Sequence, residues 1–167
     1  MGFPWNSANE FSWKLPQVHT DIKIPDNTIA LSFQSVSDPV KNLQINKAQL
    51  IWNLVKEAGF TPLEVHFEHN YKKANNTRYP FIDYSCRDFP ASVENCIGVM
   101  QQCKGFIGVS TGTSCIAASL YPLKTMHLNT KNYWVPKIQT DGAFWQVDCR
   151  RNYLNDRAIK EFLNTCR

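Results

Sequence analysis

The chain has 167 residues, 43% hydrophobic and 19% charged, with a formal net charge of +4. That length and composition give one globular domain with a sizeable core and exclude a disordered chain. The charge is mild and its Lys and Arg are scattered, the densest groups being Lys72-Lys73 and Arg150-Arg151, which argues against a nucleic-acid surface. No apolar run approaches the roughly 20 residues of a membrane span. The start, Met1-Gly2-Phe3-Pro4-Trp5-Asn6, lacks the basic residues and apolar stretch of a signal peptide. A soluble, cytoplasmic protein is the expectation.

Residues 1–27 are rich in Pro and aromatics and show neither strand nor helix period, so they read as an irregular arm packed on the domain formed by 28–167. A short apolar run at 29–33 reads as a strand, followed by a polar loop over 34–44. Asn46 is a candidate N-cap for a helix over 47–58, whose apolar positions 48, 51, 54, 55 and 58 form one stripe before Gly59 stops it. A strand at 63–67 and a polar loop over 68–80 come next, then a short third strand at 81–84.

Ser92 caps a helix with Val93, Cys96, Ile97 and Met100 on one face. Strand 105–109, a helix over 113–120 ended by Pro122, and a strand at 123–128 follow. Residues 135–139 and 143–148 read as a hairpin around Asp141-Gly142. A last helix starts at Asn155 and turns Ala158, Ile159, Phe162 and Leu163 inward. Such alternation predicts an α/β fold: a Rossmann-like parallel sheet with helices on both faces. Ligands of such sheets sit beyond the carboxyl ends of the strands, which here release the loops 34–44, 68–80 and 110–114.

The six cysteines form no Cys-x-x-Cys pair, and the four histidines show no ligand spacing with them, so no metal site is expected. Cys96, Cys103 and Cys115 fall on apolar faces and read as buried, reduced thiols. The most informative stretch is Gly105-Phe106-Ile107-Gly108-Val109-Ser110-Thr111-Gly112-Thr113-Ser114-Cys115-Ile116-Ala117-Ala118. An apolar strand breaks there into a hydroxyl-rich turn and then a helix of small residues. Unpaired N–H groups at such a helix start suit a phosphate, and a small turn lets it approach the backbone. The plainer alternative is an ordinary strand–helix junction capped by Thr113 or Ser114.

From Thr28 to Thr130 the order of motifs resembles the carboxy-terminal, donor-binding domain of the heptosyltransferase-like (family 9) GT-B glycosyltransferases. In that family a strand ending in Asp-(Ser/Thr)-Gly-x-x-His precedes an Ala-rich helix. Here Ser110 stands for the Asp and Cys115 for the His. The resemblance implies a single GT-B-type half that binds a nucleoside-diphosphate sugar as substrate, with no further cofactor and no metal. Ser35, Ser37, Lys41, Ser110, Thr111, Gly112, Thr113 and Ser114 would then face the diphosphate, and Glu68 the ribose. It also implies a partner chain or domain carrying the acceptor, because 167 residues do not hold both halves.

Other readings remain open on the residues themselves. Lys41 and Glu68 are also ordinary loop charges, His66 and His69 flank Glu68, and Asp83 and Asp88 are isolated acids. Trp134, Phe144 and Trp145 suit either core packing or stacking on a base or sugar. No catalytic residue stands out. A non-catalytic nucleotide-binding or regulatory module, and a nucleotide or nucleoside hydrolase on the same fold, are the alternatives to a transferase.

Overall fold

A computed structural model describes residues 17–35, 38–66, 77–120, 123–130, 145–150 and 153–167. Its centre is a sheet of β1 (Thr28–Ser32), β2 (Thr61–Glu64), β3 (Gly105–Val109), β4 (Lys124–Asn129) and β5 (Trp145–Asp148), in the order β2-β1-β3-β4-β5. Every pairing is parallel. The helices are α1 (Ile45–Glu57), α2 (Val93–Met100), α3 (Gly112–Ala118) and α4 (Asp156–Thr165). The architecture is α/β and Rossmann-like, as the alternation of runs predicts.

The central strands are buried on both sides, which is why they read as unbroken apolar runs rather than alternating ones. Ile29, Leu31, Phe33, Ile107, Val109, Met126 and Leu128 face one core with α1 and α4 residues such as Ile51, Trp52, Ile159 and Phe162. Ala30, Leu63 and Phe106 face the other, with Ile97, Val99 and Met100 of α2 and Ala117 of α3. Each large apolar side chain so buried contributes about 1.5–3 kcal/mol. The exposed pairs Arg157–Glu161 and Lys160–Asp156 on α4 add about 0–1 each, so the two cores decide stability.

Helix ends follow the sequence where a polar cap is available. Ser92 accepts from the Asn95 N–H and Asn155 from the Ala158 N–H, while Gly59 takes a φ of 85° after α1. Two expectations shift. The α1 helix starts at Ile45 behind Gln44, so Asn46 lies inside its first turn and bonds the Lys47 N–H instead of capping. Val93, expected on the apolar stripe of α2, is 54% exposed, because position 93 opens the helix ahead of the buried run from Cys96 to Met100.

Two strand assignments also change. The third strand at 81–84 is reduced to one parallel bridge between Ser85 and Glu64. A turn takes the backbone groups a strand would need: the Ile82 N–H donates to the Tyr79 carbonyl, and Arg78 Nε donates to the Ile82 carbonyl. The strand expected to form a hairpin arm at 143–148 instead lies parallel to β4 as β5, covered by α4 through Trp145 against Phe162. Its expected partner, 135–139, lies outside the described residues.

Residues 17–24 cross α2 without regular structure. The Val18 N–H donates to Gln101, Thr20 to Asn95, and Gln102 to the Ile22 carbonyl. A Cβ on Gly98 would lie 2.5 Å from the Thr20 methyl, so the segment passes where only glycine leaves room.

Candidate functional site

Strand order reverses between β1 and β3, the first leading outward to β2 and the second to β4 and β5. Loops on the two sides of such a switch point diverge and leave a crevice beyond the carboxyl ends of the strands. Of the three loops expected there, 34–44 and 110–114 flank the crevice. Glu68, His69 and Ser37 lie outside the described residues, as do Trp134 and Phe144.

The loop after β1 is closed at its base by the Leu43 N–H on the Phe33 carbonyl, 2.9 Å. Inside it the Ser35 N–H donates to Asn42 Oδ1 (2.7 Å) and the Asp38 N–H donates to Ser35 Oγ (3.3 Å). Ser35 is buried, so its hydroxyl shapes the loop. A 3₁₀ turn, Pro39–Lys41, ends at Lys41, whose carbonyl accepts from Thr130 Oγ1 at 2.9 Å. That bond ties the carboxyl end of β4 to the same rim, where Lys41 is half-buried.

Across the switch point, the turn after β3 is built by Thr111. Its hydroxyl accepts from the Ser114 N–H (3.4 Å) while Ser114 Oγ accepts from the Thr111 N–H (3.0 Å), a reciprocal cap. The cap is therefore Thr111 and not Thr113 or Ser114, because the chain is already helical at Gly112. The hydroxyls of Thr111 and Ser114 serve the turn. What remains open is backbone: the Gly112 and Thr113 N–H groups have no hydrogen-bond partner among the described residues. Gly112 is exposed and a Cβ on it would meet nothing within 4 Å, so there is open space beside that residue. Ser110 and Thr113 are half-buried beside that space. Cys115, expected on an apolar face, is exposed on α3.

One row beneath the crevice, Ser32, Gly108, His127 and Gln146 lie side by side across four strands. Burial pushes the His127 imidazole below its ordinary pKa, so it is neutral at pH 7. Desolvation acts the opposite way on the thiols and holds them protonated: Cys96, Cys149 and the partly buried Cys103 are each pushed up to about 12, which makes them poor nucleophiles. No three metal-ligating side chains converge among the described residues.

A second polar group sits at the carboxyl end of β2. Glu64 is 2% exposed, and the Arg87 side chain 7%. Arg87 Nε donates to Glu64 Oε2 at 3.0 Å, Ser85 Oγ donates to the same oxygen, and Arg87 Nη2 reaches Gln34 Oε1 at 2.8 Å. Gln34 Nε2 donates in turn to the Thr77 carbonyl, 3.1 Å. Sequence reading passes over this network, although one sign is present: a Glu inside an apolar strand needs a buried partner. Asp83 and Asp88, weighed as possible acids, pair with Lys56 and Arg78 on the surface. His66 stands beyond the end of β2, half-buried.

No family model matches this chain, and neither a curated protein nor a solved structure matches it. No helix among the described residues is long and apolar enough to cross a membrane.

Proposed function

We propose that this chain is a nucleotide-sugar-binding domain of the glycosyltransferase kind, holding a nucleoside diphosphate over the carboxyl ends of β1 and β3. The observation that carries the reading is the pair of open N–H groups at Gly112 and Thr113, with free space beside Gly112 at the switch point. Because α3 spans only seven residues, its dipole adds little, and the two N–H groups make the contact. Lys41 supplies the cation from the facing loop, and Glu68 takes the ribose hydroxyls. Ser110 and Ser37 border the diphosphate, while Ser35, Thr111 and Ser114 fix the two walls.

Fixed donors and a cation would stabilise a departing diphosphate without a metal. The acceptor then comes from a partner chain or domain closing on the same rim. A non-catalytic nucleotide-binding module is the second reading. It is favoured by Ser110 and the outward-facing Cys115 at positions where the resembling family has Asp and His. Turnover in the presence of an acceptor separates the two.

A thermal-shift screen of nucleoside diphosphates and their sugar conjugates tests the binding claim. A ligand in hundredfold excess over its dissociation constant adds about 2.7 kcal/mol. For a domain of this size that raises the melting temperature by roughly 5–11 °C. A flat response to every nucleotide would remove the proposal.

A further inference from the structure

We infer that Arg87 and Gln34 form a positioning tether, through which the end of β2 holds the β1 loop in the shape that faces the crevice. The part of this inference that concerns ligand rests on the proposed nucleotide reading. The part that concerns the loop does not.

A buried ion pair is a poor way to stabilise a fold. Desolvating both charges costs several kcal/mol, and an apolar pair of similar volume often does as well. What such a pair supplies is geometry, and the geometry here is directional. Arg87 is planar and presents donors in a rigid fork. One edge of that fork is fixed on Glu64, by Nε to Oε2 at 3.0 Å and Nη2 to Oε1 at 3.3 Å. The same Nη2 reaches Gln34 Oε1 at 2.8 Å. Glu64 is itself anchored by the Ser85 hydroxyl and by its own N–H on the Tyr84 carbonyl. The fork is therefore locked before it touches Gln34.

Gln34 is the second residue past β1 and directly precedes Ser35, whose N–H and hydroxyl tie it to Asn42 and Asp38. Holding Gln34 fixes the direction in which the chain leaves the sheet. It thereby fixes where the 3₁₀ turn carries Lys41. The resembling family's acidic ribose ligand sits past this strand, but Glu64 cannot serve as one. Its carboxylate is already bonded to Ser85 and Arg87 and lies out of solvent. Its chemistry is positional.

Amide hydrogen exchange on the full chain tests the tether, with Gln34→Met and Arg87→Lys compared against wild type. Methionine keeps the length of Gln34 without its acceptor. Lysine keeps the charge opposite Glu64 but has no fork to bridge to Gln34. Both variants should speed exchange of the Ser35, Asn42 and Leu43 amides by about tenfold or more, the effect of losing a hydrogen bond to a charged group. Amides of β3 and α4 should keep their wild-type rates. Unchanged loop rates, or an equal rise throughout the molecule, would overturn the tether. Loosening in Gln34→Met alone would assign the hold to the Thr77 carbonyl and remove Arg87 from it. Inorganic pyrophosphate is the ligand probe, and its affinity should fall with the loop's order. If the loop loosens as expected while pyrophosphate binds neither wild type nor variant, the tether stands and the nucleotide reading fails.

Discussion

Glu64→Ala is expected to destabilise the protein by about 3–5 kcal/mol, because it removes one partner of a buried ion pair, the carboxylate on which Arg87 is docked. The three hydrogen bonds that end on Glu64 disappear together, two from Arg87 and one from Ser85. At about 2–4 °C per kcal/mol for a chain of this size, the melting temperature falls by roughly 6–20 °C. An exposed pair gives the contrast: Glu161→Ala, which breaks the Arg157–Glu161 contact on α4, should cost no more than about 1 kcal/mol. Replacing both buried partners, as Glu64→Met with Arg87→Met, should cost less than Glu64→Ala alone, because both charges leave together. Chemical denaturation measures all three. A Glu64→Ala variant within about 1 kcal/mol of wild type would mean that water reaches the guanidinium and the pair is not buried.

Gly112→Val is expected to leave folding nearly unchanged and to lower nucleotide affinity by about a hundredfold or more. The backbone at Gly112 is helical, the residue is exposed, and a Cβ there meets nothing within 4 Å, so a branched side chain has room to point into solvent. The same free space is where a phosphate would approach the Gly112 and Thr113 N–H groups. Two methyl groups there push the phosphate out of hydrogen-bond range, and two charge-assisted bonds at about 1.5–3 kcal/mol each are lost. Titration calorimetry beside a thermal melt separates the two effects. An unperturbed melt with unchanged affinity would place the ligand elsewhere.

Most of the sheet was legible in the sequence because β1, β3 and β4 are buried on both faces, which leaves compact apolar runs. The α2 and α4 helices were legible from Ser92 and Asn155, residue types that favour the cap position and do cap here. Where a feature depends on partners far along the chain, the sequence is silent. The segment 81–84 carries a strand-like composition, and it is held as a turn both by neighbours, Tyr79 and Arg78 on the Ile82 backbone, and by Lys56, 27 positions away, on Asp83. The parallel placement of β5 likewise depends on α4 covering Trp145. At the candidate site, the turn at 110–114 and its hydroxyls were visible, but their division of labour was not. Thr111 and Ser114 cap, and Gly112 with Thr113 stays open, because the helix begins at 112. The Arg87–Glu64–Gln34 network joins residues separated by 53 and 23 positions, so no short motif announces it.

Amide chemical-shift mapping of the labelled protein, titrated with the nucleoside diphosphate that gives the largest thermal shift, tests the central claim most directly. The account predicts saturable shifts centred on Gly112 and Thr113 and extending to the loop from Ser35 to Asn42, with the strap at 17–24 and the amino ends of the strands unmoved. Shifts that centre on Lys104 and Lys124 at the opposite end of the sheet, or none at saturating nucleotide, would contradict it.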